Sequence, residues 1–204
     1  MTAVVPAATA EPALGRRLDA EWFAREPNLV ARELIGCRLM RDGVGGTIVE
    51  TEAYAADDPA CHAFIGPTPR NRVIFGPPGR AYVYLSYGIH SLFNVVTEPD
   101  GIAAAVLIRA LVPEHGIERM RARRNGLADA QLCSGPGKLT VALGIDLDDD
   151  GRRLERGPIA VHARAESVPE PAIVAGPRIG ITKAAELPWR YCLAGSPWRS
   201  RRAG

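Results

Sequence analysis

Cys37-Arg38-Leu39-Met40-Arg41, then Asp42-Gly43-Val44-Gly45-Gly46, then Thr47-Ile48-Val49-Glu50-Thr51-Glu52-Ala53-Tyr54 is a strand, a turn and a second strand. β-branched and aliphatic residues fill both flanks, and the Asp-Gly step with its following glycines is hairpin chemistry. Side chains alternate across a strand, so Val49, Thr51 and Ala53 point one way while Glu50, Glu52 and Tyr54 point the other. Two carboxylates and a phenol therefore share one face. Either that face is solvated and the glutamates are ordinary, or it lies inside, where a carboxylate is costly unless paired or functional.

Upstream, Pro27 to Ile35 reads as a short helix stopped by Gly36, and order is expected to begin near Leu18. Residues 1–17 are expected to be a flexible tail and 18–204 a single domain. Downstream, residues 55–80 are rich in Pro, Gly and polar groups, a long irregular connection of the kind that borders a functional site. Ala81 to Ser86 and Ser91 to Thr97 form a second hairpin around Tyr87-Gly88-Ile89-His90, and Pro99-Asp100-Gly101 turns into a third strand, Ala103 to Pro113. Helices are expected over Glu114 to Arg124 and Pro136 to Leu143, and short strands over Ile159 to Ala163, Val174 to Ile181 and Tyr191 to Leu193. The class is mixed α+β: one compact domain with a curved, largely antiparallel sheet flanked by short helices.

With 204 residues, 47% hydrophobic and 24% charged, the chain can bury a full core and lacks the signature of disorder. Residues 1–100 hold nine basic and twelve acidic side chains, and residues 101–204 hold sixteen and eleven, so positive charge gathers in the second half. Only Lys138 and Lys183 are lysines; the remaining cations are arginines, whose planar fork suits phosphate, although a GC-rich genome yields the same bias. Cys37, Cys61, Cys133 and Cys192 form no C-x-x-C pair and read as reduced thiols, and no His spacing suggests zinc. Neither metal nor cofactor is expected. No secretory signal or membrane-length apolar run is visible, so a cytoplasmic monomer with no membrane partner is expected.

Arg109 stands alone in the apolar run Ala103 to Val112, and a buried guanidinium requires a carboxylate or carbonyl partner. A structural salt bridge would explain it, as would pairing with one of the glutamates around a water. Tyr82, Tyr84 and Tyr87 lie within six residues at a hairpin tip. Tyr82 reads as core, whereas a ring beside Gly88 has little to bury it. Gly135-Pro136-Gly137-Lys138 suggests a phosphate loop, but Leu132 and Leu139 occupy positions that motif reserves for Gly and Ser or Thr. Asp146, Asp148, Asp149 and Asp150 lack calcium-loop spacing and read as a solvated acidic turn.

The strings Ile48 to Tyr54, Ala60-Cys61-His62, Thr68-Pro69-Arg70-Asn71-Arg72, Tyr82-Val83-Tyr84, Tyr87-Gly88, Asn94, Leu107 to Leu111, Cys133 to Leu139 and Gly195-Ser196-Pro197-Trp198 follow one another collinearly. In that order and spacing the chain resembles the alkyladenine (3-methyladenine) DNA glycosylases from about residue 20 to 200. The resemblance implies a partner, double-stranded DNA containing damaged purines, and hydrolysis of the N-glycosidic bond of an extruded base. It implies Glu52 as general base with Arg109 placing the water. Tyr54, His62, Tyr84 and Asn94 would enclose the base, and Tyr87 would enter the gap in the duplex. Arg70, Arg72 and Lys138 would contact DNA.

Overall fold

The computed structural model describes residues 14–165 and 167–200. Most of the expected tail, residues 1–13, lies outside them. Arg17 is held by three carbonyls, donating to those of Leu154, Gly157 and Ile159.

A one-turn helix α1 (Ala20–Phe23) precedes α2 (Pro27–Glu33). Pro27 starts α2 where its missing N–H costs nothing, and the Glu26 carboxylate accepts from the amides of Asn28 and Leu29. The helix buries Val30 and Ala31.

The hairpin follows as β1 (Arg38–Arg41) and β2 (Val44–Tyr54). Its turn is only Asp42-Gly43, both with positive φ, rather than the five residues the sequence suggests. Gly45 and Gly46 already belong to the strand. A Cβ on Gly46 would lie 1.8 Å from the Val112 carbonyl oxygen, so this glycine permits the close approach of a neighbouring strand.

Next come β3 (Ala81–Ser86), β4 (His90–Val96) and β5 (Ala105–His115). The third strand runs to His115, two residues beyond the expected end. Glu114 is fastened there by Arg38 and Thr47, and left-handed Gly116 then breaks the chain. The helix expected from Glu114 therefore starts later, as α3 (Ile117–Arg123). The helices α4 (Asp129–Leu132) and α5 (Pro136–Leu143) follow. Three short strands, β6 (Ile159–His162), β7 (Ile173–Gly176) and β8 (Arg190–Leu193), complete the order. β7 stops before Pro177, whose ring supplies no donor to a ladder, instead of continuing to Ile181.

All named strands form one curved antiparallel sheet in the order β3-β4-β5-β2-β1-β6, with β8 pairing β2 and β7. β2 is its centre. One edge pairs with β5, while the other is shared between β1 near the turn and β8 near Tyr54. Leu39, Ile48, Phe93, Ile108 and Leu111 meet Phe23, Val30, Met120, Leu139 and Leu143 in the main core. A smaller cluster of Cys61, Ile74, Tyr82, Val96 and Ala105 lies beneath the irregular 55–80 segment.

The acidic turn departs from expectation. Asp149 is fully buried, paired with Arg41 and Arg152, and Asp150 accepts from the Val83 amide at 2.8 Å. These groups tie the loop to the sheet. All four cysteines are free and buried, and burial pushes the Cys61 thiol up to about 11 and that of Cys133 up to about 12. None of the described helices is long and apolar enough to cross a membrane.

Candidate active site

The face of β2 that carries Glu50, Glu52 and Tyr54 is buried. Both glutamates have no exposed surface. Pairing of β2 with β5 is irregular beside Glu50, and on either side Ile48 meets Leu111 and Thr51 meets Ile108. That register puts Arg109 and Leu107 of β5 on the same face as the two carboxylates, and bulges of this kind re-aim side chains.

Arg109 pairs with both glutamates rather than one: Nε donates to Glu50 Oε1 at 3.2 Å and Nη1 to Glu52 Oε2 at 3.1 Å. Burial lowers the guanidinium's proton affinity, the two carboxylates raise it, and the result is a rise. Glu52 Oε2 also accepts from the Tyr54 hydroxyl at 2.9 Å, and Oε1 from the Ile179 amide at 2.7 Å. Burial and the Glu52 charge hold the Tyr54 hydroxyl well above its ordinary range, so it stays a donor. A carboxylate offers about four acceptor positions, and three are filled here.

Glu50 is enclosed more tightly. It accepts from Arg109, from Arg190 Nη1 at 3.2 Å, and from the Ser200 amide and hydroxyl at 2.6 and 2.8 Å. Arg190 Nε donates to the Pro177 carbonyl at 2.8 Å, and two residues on is the Ile179 amide that touches Glu52. Glu52, Arg109, Glu50, Arg190 and the strap 177–179 thus form a closed circuit of hydrogen bonds. With cations and anions alternating, each buried charge has an opposite neighbour.

Above this floor opens a cleft of about 800 Å³, lined by Tyr54, His62, Tyr82, Tyr84, Asn94, Leu107, Arg109, the strap residue Ile179, and Gly180 and Ile181 just beyond it. Glu52 sits one layer behind the lining, touched by three of its members. His62 and Tyr84 meet edge to face with centroids 4.5 Å apart, and His62 Nδ1 shares a hydrogen bond with the Tyr82 hydroxyl at 2.9 Å. Burial lowers the His62 pKa, with a smaller push from Arg70, which favours the neutral imidazole. Burial pushes the Tyr84 hydroxyl up to about 12. Asn94 is buried and donates to the Tyr82 carbonyl at 3.1 Å.

The structure gathers Glu52, Tyr54, His62, Tyr84, Asn94 and Arg109 at one cleft. Tyr87, 90% exposed, and Arg70 and Lys138 stand around its mouth. Arg70 donates to the Leu85 carbonyl at 2.6 Å, and Lys138, in the first turn of α5, reaches back to Ser134 ahead of the helix. Arg72 is placed apart: it is exposed and absent from the lining, and its charge acts on Asp150. In the arginine cluster after residue 118, Arg121 pairs with Asp129 and Arg123 with the Ala142 carbonyl, and only Arg124 lines the cleft.

Sequence reasoning missed Asp58, Arg178, Arg190, Ser200 and the Ile179 amide. Asp58 and Arg178 form a bidentate pair with fully buried side chains. No pattern in the 55–80 loop marked Asp58, and the adjacent Pro177 was the one sign that residues 177–181 leave the strand.

A family model for methylpurine-DNA glycosylases matches residues 21–197. Two relatives from different strains of Rhodopseudomonas palustris are 56% identical over 196 residues and 60% identical over 190. These alignments cover 96% and 93% of this chain, and 94% and 92% of the relatives. A third relative, from Rhizobium meliloti, is 50% identical over 184 residues, covering 90% of this chain and 96% of its own. All three are provisionally named 3-methyladenine DNA glycosylases. A match that spans the hairpin, the buried carboxylates and the aromatic cleft together leads to one conclusion: this chain belongs to the methylpurine-DNA glycosylase family.

Proposed function

We propose that the protein extrudes a methylated purine from duplex DNA into the aromatic cleft and hydrolyses its N-glycosidic bond with a water activated by Glu52. The observation that carries this reading is the buried Glu52 carboxylate, held by three lining residues with one acceptor position left for a water. N-methylation leaves a cationic purine, which aromatic faces attract and which departs readily with the bonding electron pair. The sugar becomes oxocarbenium-like, water adds to C1′, and its proton passes to Glu52. Arg109 fixes the orientation of that carboxylate.

Extrusion is cheapest where damage has weakened pairing, so selection begins before the cleft. Tyr87 is proposed to fill the vacated space as a wedge from the minor groove. With Tyr87 at 90% exposure and Gly88 beside it at φ 70°, the ring has almost no protein to pack on. Tyr87→Ser should therefore change folding stability by no more than about 1 kcal/mol. Excision should weaken most for a well-paired lesion and least for the same lesion opposite a gap. Equal losses in both contexts would remove the wedge from the mechanism.

A lyase step would need an amine to form a Schiff base with the sugar, and the only lysines are Lys138 and Lys183. Incubation with methylated duplex DNA should release free methylpurine and leave abasic sites, with no protein–DNA adduct trapped by borohydride. DNA retained without base release would make the protein a damage-binding module instead.

A further inference from the structure

Resting on this assignment of Glu52, we infer that Asp58 and Arg178 are positioning residues, a clamp that presses the strap 177–179 against the catalytic carboxylate. Arg178 has a fully buried side chain yet does not line the cleft. Its guanidinium makes the bidentate pair with Asp58, donates to the Ala53 carbonyl at 2.9 Å and reaches the Ala184 carbonyl at 3.3 Å. It also lies over the Tyr54 ring, 4.7 Å from the centroid, and 5.1 Å from the Trp189 centroid. Tyr54 lines the cleft and Arg178 does not, so the guanidinium backs the ring from the protein side.

The clamp is one residue from the amide it places. Three successive strap residues are each tied: Pro177 by its carbonyl to Arg190, Arg178 by its side chain to Asp58, and Ile179 by its amide to Glu52 Oε1. Gly180 follows with φ +81°, and beyond its chain neighbours no atom lies within 4 Å of the place a Cβ would take. A purely structural ion pair could sit anywhere in the core. This one grips both groups that donate to Glu52 besides Arg109: the Tyr54 ring it backs, and the Ile179 amide beside it.

Each donated hydrogen bond fixes how the carboxylate presents its remaining acceptor position to a water. The groups around Glu52 are Tyr54 and Glu50 on its own strand, Arg109 from β5, Arg190 opposite on β8, Tyr84 from β3, and Ile179 with the Arg178 charge from the strap. Among them the clamp governs Ile179 and Tyr54, so loosening it should leave the carboxylate less well aimed and slow the chemical step while DNA binding is kept.

The test compares the maximal single-turnover excision rate on methylated duplex DNA, and the affinity for an abasic-site analogue, for the parent, Glu52→Gln, Arg178→Lys and the double variant Asp58→Asn with Arg178→Met. The double variant removes both charges together and strands neither. Its maximal rate should fall about tenfold while binding to the abasic-site analogue is unchanged. Arg178→Lys keeps the charge and loses the fork, so its rate should lie between; should the double variant not fold, a reduced rate with parental binding in this variant carries the inference and a parental rate overturns it. A double variant that melts earlier but keeps the parental rate reduces the pair to a structural role. If Glu52→Gln keeps the parental rate, the assignment of Glu52 falls and this inference with it; if Glu52→Gln loses excision and the double variant keeps it, only the clamp falls.

Discussion

Glu52→Gln is expected to bind duplex DNA carrying an abasic-site analogue as the parent does, while excision falls by at least about 10²-fold, the size typical of losing a general base. The amide cannot accept a proton at neutral pH. Nor does it reproduce the hydrogen bonds. Oε1 accepts from the Ile179 amide and Oε2 from Tyr54 and Arg109, so either orientation of Gln turns an N–H₂ toward a donor. The variant should therefore lose stability too, by roughly 1–3 kcal/mol, and excision must be compared well below its melting temperature. Glu50→Gln is the control. Its carboxylate is wrapped by Arg109, Arg190 and Ser200, of which only Arg109 lines the cleft, whereas all three partners of Glu52 do, so the loss of Glu50 should show mainly as stability. Equal losses of excision in the two variants, or losses in the reverse order, would displace Glu52 from its role.

Arg109→Met should be the most destabilising single substitution on the floor of the cleft. Methionine matches the length of the stem but takes away the cation that bridges the buried carboxylates of Glu50 and Glu52. Breaking a buried pair in this way costs about 3–5 kcal/mol, because the surviving charge keeps its desolvation penalty without compensation. Excision should also be lost, since nothing then aims Glu52. The origin of the cost is testable by adding Glu50→Gln: with one stranded carboxylate removed, the double variant should be more stable than Arg109→Met alone. Thermal melting decides this. Additive destabilisation would show that packing of the arginine stem, rather than its charge, matters at this position.

The floor of the site was legible because it depends on local rules. Side-chain alternation put Glu50, Glu52 and Tyr54 together, and an arginine inside an apolar run demanded a carboxylate, so two short strings foretold the contacts of Arg109. What no local rule supplied was that Arg109 would bridge both glutamates, since that depends on the irregular register beside Glu50. The strap was less visible still. Asp58, Arg178, Arg190 and Ser200 come from four segments, and the contacts that join them span 120 to 150 residues of sequence. The acidic turn misled for a related reason: Asp149 looks solvated beside its acidic neighbours, and only the fold supplies Arg41 from β1. Element boundaries moved where one backbone feature overrode composition, at Gly116 and Pro177.

The four buried cysteines bear on the conditions such an enzyme must survive. Reagents that methylate purines also methylate thiolates, and the thiolate rather than the thiol is the reactive form. Burial raises all four thiols, so at neutral pH each is protonated as well as shielded. Its thiols therefore offer little for a methylating chemical to attack.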